Sequence, residues 1–381
     1  MKKKTLSIIK DDPWLEPFEE AIVGRHNDFL NKEKELTGEN GSLVDFANAY
    51  NYYGLHHVSK GWVLREWAPN ATEIFIIGDF NNWTECAPYK MNRLDNGNWE
   101  IKLPERGMKH GDLFKLSVHW DGGQGERIPA YATRVVQDDN TKIFSAQVWN
   151  PEEKYEFKVK NFKPNVKPLL IYECHIGMAQ NREGVGTYEE FRTNILPRID
   201  ADGYNAIQIM AIQEHPYYGS FGYHVSSFYA ASSRFGTPEE LKHLIDDAHS
   251  RGIAVIMDIV HSHAVKNEVE GLGRFDGSYD LYFYGDGKRE HPAWDSLCFD
   301  YGKNAVLNFL LSNCEFWLEE YKFDGFRFDG VTSMLYYNHG LGQAFGSYDD
   351  YYNGNQDTNA ITYLTLAKPG IPLISSAMVI A

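Results

Sequence analysis

Residues 237–258 read Thr237-Pro238-Glu239-Glu240-Leu241-Lys242-His243-Leu244-Ile245-Asp246-Asp247-Ala248-His249-Ser250-Arg251-Gly252-Ile253-Ala254-Val255-Ile256-Met257-Asp258. Thr237 and Glu240 have the spacing of a capping box and Pro238 takes the first helical position, so a helix starts here. Leu241, Leu244, Ile245 and Ala248 fall on one helical face, and Gly252 ends the helix. Residues 253–258 then read as an apolar strand. This segment delivers a helix straight into a strand, and the same unit recurs on both sides of it.

Upstream, Leu169-Leu170-Ile171-Tyr172-Glu173-Cys174 is an apolar run. Thr187 and Glu190 make a second capping box, Gly203 lies just past that helix, and 205–212 is the next strand. Downstream come an apolar-striped helix over 304–321, a fourth strand over 323–329, a helical stretch over 358–367 and a fifth apolar run, Ala377-Met378-Val379-Ile380. Repeated β-α units imply parallel strands with right-handed crossovers. An open doubly wound sheet and a (β/α)8 TIM barrel both fit. No Gly-x-Gly-x-x-Gly turn follows the first strand, which lowers the dinucleotide-binding option. What ends the strands favours the barrel, because barrel active sites sit at C-terminal strand ends. Those ends read Glu214-His215, then Asp258 with His261 and His263, then Arg327-Phe328-Asp329. For any one of them an ordinary polar loop is the plainer reading; three at one rim favour a site.

The N-terminal part differs. Apolar residues at helical spacing over 14–29, and more weakly over 42–53, make residues 1–57 a helical lead-in. Over 58–150 short alternating strands (Gly61 to Trp67, Glu73 to Gly78, Asn98 to Leu103) are separated by turn clusters at Pro69-Asn70, Asn81-Asn82, Asp95-Asn96-Gly97 and Asp121-Gly122-Gly123. That spacing argues a β-sandwich. Residues 151–168, rich in Lys, Glu and Pro, read as a linker, and 169–381 as the barrel part.

Composition bounds the function. The chain has 381 residues, enough for two or three domains at roughly 150 residues each. With 43% hydrophobic and 24% charged residues it is globular rather than disordered. Its net charge of −16 repels phosphate backbones, so nucleic acid is excluded as a principal partner. No apolar stretch reaches the roughly 18 residues of a membrane span, and the apolar run after Lys2-Lys3-Lys4 is too short for a signal-peptide core. Four scattered cysteines without metal spacing fit a reduced, cytoplasmic protein. Aromatics reach 14%; they serve cores, and their faces also stack on sugar rings.

Few residues carry chemistry. Arg327 and Asp329 alternate along one strand and so point the same way. An arginine beside an aspartate favours the ionised carboxylate, the form suited to attack on an anomeric carbon; a structural ion pair is the plainer use. His261 and His263 lack further ligands at metal spacing, so hydrogen bonding to sugar hydroxyls is favoured over a metal. Tyr223, in a loop with Tyr217, Tyr218 and Phe221, could floor a pyranose ring. Trp83, beside a turn in Gly78-Asp79-Phe80-Asn81-Asn82-Trp83, either docks sugar or plugs the sandwich.

In order and spacing these segments resemble eukaryotic-type 1,4-α-glucan (glycogen or starch) branching enzymes of the α-amylase superfamily, over nearly all of residues 12–381. Glu66-Trp67-Ala68-Pro69-Asn70-Ala71 and 78–83 match the starch-binding, immunoglobulin-like sandwich of these enzymes. Residues 214–223 and 234–241 match the text around the second strand. Residues 258–263 match the first conserved region, with Ser262 where amylases usually have Asn, and 324–334 match the nucleophile region. The resemblance implies a retaining transfer in glycogen or starch biosynthesis. Asp329 is then the nucleophile, Arg327 positions it, Tyr223 stacks under the reacting sugar, and Asp258 and His263 hold the site. Trp67 and Trp83 are candidate carbohydrate contacts. The implied partner is an α-1,4-glucan such as glycogen or amylose, with no cofactor, no metal, no membrane, and a monomer at full length.

The resemblance also implies an acid/base Glu just after the fifth strand, and a His-Asp pair after the seventh. The sequence stops at Ala381, where that Glu is due, so the general acid, three barrel strands and a C-terminal domain are missing from the chain. Pro369-Gly370 is expected to spoil the end of the preceding helix. The expectation is a truncated chain, inactive alone because loss of the acid costs about 10²–10⁴-fold, and poorly soluble through unpaired sheet edges. Two alternatives stand beside it: a non-catalytic glucan-binding protein, and a debranching-type glycoside hydrolase of the same superfamily. The short 261–300 region weakens the second.

Overall fold

The computed structural model describes residues 6–164, 168–370 and 378–380. The basic start at residues 1–4, the Ile371-Pro372 stretch and Ala377 lie outside the described residues.

The β-α units form one parallel sheet. Its strands Ile171–Cys174, Ala206–Ile209, Ala254–Ile259, Gly325–Phe328 and Met378–Ile380 lie side by side in chain order. Five neighbours in sequence order form an arc of the (β/α)8 type, and the right-handed crossovers leave the helices on one face. The capping boxes at Thr187/Glu190 and Thr237/Glu240 are both made. The helix after the first strand is not uniform. It passes through a wide turn at Phe191–Ile195 before resuming at Leu196–Ala201, because Pro197 has no N–H to bond the carbonyl four residues back. The long helix spans Asn304–Tyr321 and is buried on most of its faces; Trp317 is fully enclosed, its indole N–H 3.2 Å from Phe228 O. The helix expected to fail at Pro369-Gly370 instead reaches Gly370. Ala360, Tyr363, Leu366 and Ala367 anchor its turns in the core.

Ahead of the arc stand two antiparallel sheets. One is built from Gly54–Val58, Gly61–Trp67, Asn98–Leu103 and Asn92–Arg93. The other is built from Ala71–Gly78, Leu113–Trp120, Phe144–Gln147, Val135–Gln137 and Gly123–Arg127. A 19-residue helix, Glu19–Thr37, precedes them. The segment read as a linker is strapped down: the Asp246 carboxylate accepts from Tyr155 Oη (2.7 Å), Lys158 N (2.9 Å) and Val159 N (3.0 Å). Sandwich and arc share one apolar cluster, and polar bonds fix their junction: Asn70 N to Asp276 Oδ2 at 2.9 Å, and Arg127 Nη2 to Arg274 O at 2.9 Å.

Glu66 is fully buried at this junction, accepting from Trp67 N and Ala130 N, both at 2.9 Å. Burial pushes its carboxyl up to about 7, with the two backbone bonds pulling the other way. Its folded value therefore lies above the unfolded one, so the folded state holds the extra proton. The stability tied to Glu66 is full below pH ~4.3 and is lost as pH rises through about 7. In Glu66→Gln one backbone N–H loses its acceptor at every pH, but the fall in urea midpoint between pH 5 and 8 flattens. An unchanged slope would show that Glu66 does not titrate in this window.

Candidate active site

The chemistry-bearing side chains meet where the third and fourth parallel strands end. Asp258 and Arg327 are direct partners across those strands, and Asp329 N donates to Ile259 O at 3.0 Å, which seats Asp329 at the same rim. Arg327 Nη1 lies 2.9 Å from Asp258 Oδ1 and 2.6 Å from Asp329 Oδ1, so one guanidinium nitrogen serves both carboxylates. Tyr223 Oη donates to Asp258 Oδ2 at 2.8 Å. Asp258 is fully buried; burial pushes its carboxyl up to about 6, against the bonds from Arg327 and Tyr223. Burial works against the Arg327 charge, but its two carboxylate partners outweigh that and hold its proton more tightly than usual. Burial, with Asp258 adjacent, also raises Tyr223, which stays a phenol donor.

Tyr223 owes its position to Gly222. That glycine has φ +92°, and a Cβ there would lie 1.7 Å from Ala211 O, so the loop wedges against the end of the second strand as only glycine allows. In Gly222→Ala the loop must withdraw, carrying Tyr223 from Asp258. Strain of this kind costs about 1–3 kcal/mol before the clash is counted. A urea midpoint within error of the unsubstituted protein would contradict the tight approach.

His263 sits behind Tyr223, with Nε2 2.8 Å from Tyr223 O and Nδ1 2.9 Å from Ser262 Oγ. Both nitrogens are thus engaged inside the protein rather than free for sugar hydroxyls. His261 points elsewhere, to Tyr363 Oη (2.6 Å) and Asn313 Oδ1 (3.0 Å), so the two histidines do not form a pair. Glu214, the carboxylate at the second strand end, does not face the rim either. It is fully buried and accepts from His215 N, Ser232 Oγ, Ser233 N and Ser233 Oγ at 2.7–3.1 Å; this sealed cradle anchors the 214–234 loop.

In the sandwich, Trp67 is half-buried, its N–H on Asn96 O (3.1 Å) and its ring edge-on to Tyr282. Trp83 is 38% exposed, with its N–H on Asp79 Oδ1 at 3.0 Å. Sequence reasoning missed Trp294. It stacks on His291 at 4.0 Å, lies 5.2 Å from the His263 ring, and would stand 3.3 Å from a Cβ at Gly330. A Trp among Pro292, Ala293 and Asp295 in a loop is the signal the sequence offered. A cavity of about 820 Å³ is lined by Phe157, Phe162, His249 and Asp324. Asp324 begins the strand that Asp329 follows, so this cavity belongs to the opposite end of the sheet.

Comparison with known proteins agrees with this architecture. Residues 52–132 match carbohydrate-binding module 48 (isoamylase N-terminal domain), and 193–295 match the alpha amylase catalytic domain. The chain is 50% identical over 375 residues to a 1,4-alpha-glucan-branching enzyme of Yarrowia lipolytica, covering 95% of this chain and 54% of that protein. It is 45% identical to the Dictyostelium discoideum enzyme of that name, covering 98% and 55%. The chain therefore spans about half the length of the curated relatives it matches. Among solved structures, the GBS pullulanase SAP in complex with maltotetraose superposes with a TM-score of 0.64 at 20% identity, over 91% of this chain and 46% of that one. A pullulanase from Bacillus acidopullulyticus superposes with a TM-score of 0.60 at 19% identity, over 74% and 38%. Among the described residues no helix is long and apolar enough to cross a membrane. The chain joins a sandwich similar to carbohydrate-binding module 48 to an arc of an alpha-amylase-type barrel, and over nearly its whole length it is related to the 1,4-alpha-glucan-branching enzymes.

Proposed function

We propose that the protein carrying this chain is a 1,4-α-glucan branching enzyme, and that Asp329 is its nucleophile. The observation that carries the reading is the single Arg327 nitrogen bonded to both Asp258 and Asp329 at the strand ends. Such an arginine holds one carboxylate in place for attack while its neighbour stays buried. Asp329 Oδ attacks the anomeric carbon of an α-1,4 linkage. The C1–O4 bond breaks as an acid/base carboxyl protonates O4, and a glucosyl ester forms. The 6-hydroxyl of another glucan chain then gives its proton to that carboxylate and attacks C1, the ester bond to Asp329 breaks, and an α-1,6 branch forms with retained configuration.

Tyr223 and the half-exposed Trp294 offer ring faces to the sugar, and His263 acts through Tyr223. In the sandwich, Trp83 and Trp67 are the assigned glucan contacts, of which Trp83 is the more open. The division into lead-in (1–57), sandwich (58–150), linker (151–168) and barrel part (169–381) goes with this reading, with the strand Gly54–Val58 moving the first boundary back to residue 53. So do a cytoplasmic place of action and an α-1,4-glucan partner rather than nucleic acid, which the net charge of −16 supports.

The test uses amylose and the protein carrying this chain. Branching raises the ratio of 1,6 to 1,4 anomeric proton signals while the number of reducing ends stays constant. Reducing ends that rise without new 1,6 signals would identify a hydrolase, and glucan binding with neither change a non-catalytic binder.

A further inference from the structure

We propose that Ser262 is a positioning residue for this site: its hydroxyl fixes His263 in the Nε2–H form, and its small side chain leaves room for Gly330 beside Asp329. The ring form follows from chemistry at two contacts. Tyr223 O is a carbonyl oxygen and only accepts, so His263 Nε2, 2.8 Å away, carries a hydrogen. A neutral imidazole has one N–H, and burial pushes His263 down to about 4, so at neutral pH the ring is uncharged. Nδ1 is then a bare lone pair, and the group 2.9 Å from it, Ser262 Oγ, must be the donor. The opposite ring form would set a bare Nε2 against a carbonyl oxygen.

Ser262 is itself held. It is 3% exposed, and Tyr301 Oη bonds the preceding carbonyl, His261 O, at 2.7 Å. From there two limbs reach the site. The first runs from the Ser262 hydroxyl through the His263 ring to Tyr223 O, and the ring of that tyrosine bonds Asp258, the other partner of Arg327. The second is contact alone. Gly330 follows Asp329 with φ +68°, and a Cβ on it would lie 2.7 Å from Ser262 Oγ and 3.1 Å from Ser262 Cβ. The serine touches both the loop that brings Tyr223 and the turn that carries Asp329. A residue without the hydroxyl leaves Nδ1 bare in a buried place, and a larger one presses on the turn.

The ring form rests on the two contacts and the burial of the ring; its consequence for sugar transfer rests on the reading of Asp329 given above. Long-range ¹H–¹⁵N correlation at pH 7, with the His263 resonances identified by their loss in His263→Gln, reads the ring form directly. The expected spectrum has a protonated Nε2 and an unprotonated, hydrogen-bonded Nδ1. In Ser262→Ala the Nδ1 resonance moves to that of a nitrogen without a donor. The rate of trapping by a glucosyl fluoride whose leaving fluoride needs no acid falls on the order of tenfold, the net worth of one hydrogen bond. A protonated Nδ1 in the unsubstituted protein overturns the proposal, as does a Ser262→Ala variant with unchanged resonances and trapping rate. If the unsubstituted protein traps no sugar, the reading of Asp329 fails and the ring form alone decides the role of Ser262.

Discussion

On the proposed function, Asp329→Asn in the protein carrying this chain lowers the branching of amylose by about 10³-fold or more, because an amide has no charge with which to form the glucosyl ester, and the step has no substitute nucleophile. The fold loses little. Arg327 keeps its bonds to Asp258 at 2.9 and 3.0 Å, Asp329 N still reaches Ile259 O, and Asn fills the same volume. The urea midpoint should move by about 1 kcal/mol or less in free energy, the range of a partly exposed ion pair. Steady-state branching and chemical unfolding measured on one preparation check both halves. A variant that branches within tenfold of the original would remove Asp329 from the mechanism.

Arg327→Met has the second large effect, on stability as well as transfer. Asp258 is fully buried, and without the guanidinium only Tyr223 Oη remains bonded to its carboxylate. Breaking a buried pair from one side costs about 3–5 kcal/mol; Arg327 is a third exposed, so the expected loss is roughly 2–4 kcal/mol after screening. The loss depends on pH. In the unsubstituted protein the Asp258 carboxyl already lies up at about 6 through burial, and removing the arginine raises it further. A folded value above the unfolded one means stability is present at low pH and lost as pH rises through the folded value. The deficit of the variant relative to its parent is therefore larger at pH 8 than at pH 5. Urea midpoints at those two pH values test this, and equal deficits would show that Asp258 is not the group left stranded.

The β-α order and the helix starts were legible because they are local. Thr187/Glu190 and Thr237/Glu240 place side-chain oxygens on backbone N–H groups three residues away, and the apolar pattern of 304–321 needs no partner to read as a helix. The wide turn at Phe191–Ile195 was local too, and Pro197 was its available signal. The site was legible in part. Alternation along one strand puts Arg327 beside Asp329, but nothing in the sequence says that the same nitrogen also holds Asp258, 69 residues away. The fate of polar residues was the hardest to read. Glu214 at a strand end looks like Asp258 at a strand end, yet the first is sealed among the backbone and hydroxyls of 232–233. His263 was legible as a residue that holds the site, but its two partners were not, because the carbonyl of Tyr223 and the hydroxyl of Ser262 come together only in the folded loop. Trp67 read as a candidate carbohydrate contact, but its edge-on neighbour Tyr282 lies 215 positions away in the chain, across a junction no pattern displays.

The central claim is that Asp329 forms a covalent bond to glucose. A 5-fluoro-α-glucosyl fluoride tests it most directly, since fluoride leaves with the electron pair of the C1–F bond without a proton, and the ring fluorine slows release of the ester. Digestion and tandem mass spectrometry of the treated protein should place one fluoroglucosyl group on Asp329, in the peptide that contains Arg327 and Gly330. A label on any other side chain, or an unlabelled Asp329 after complete inactivation, would contradict the account.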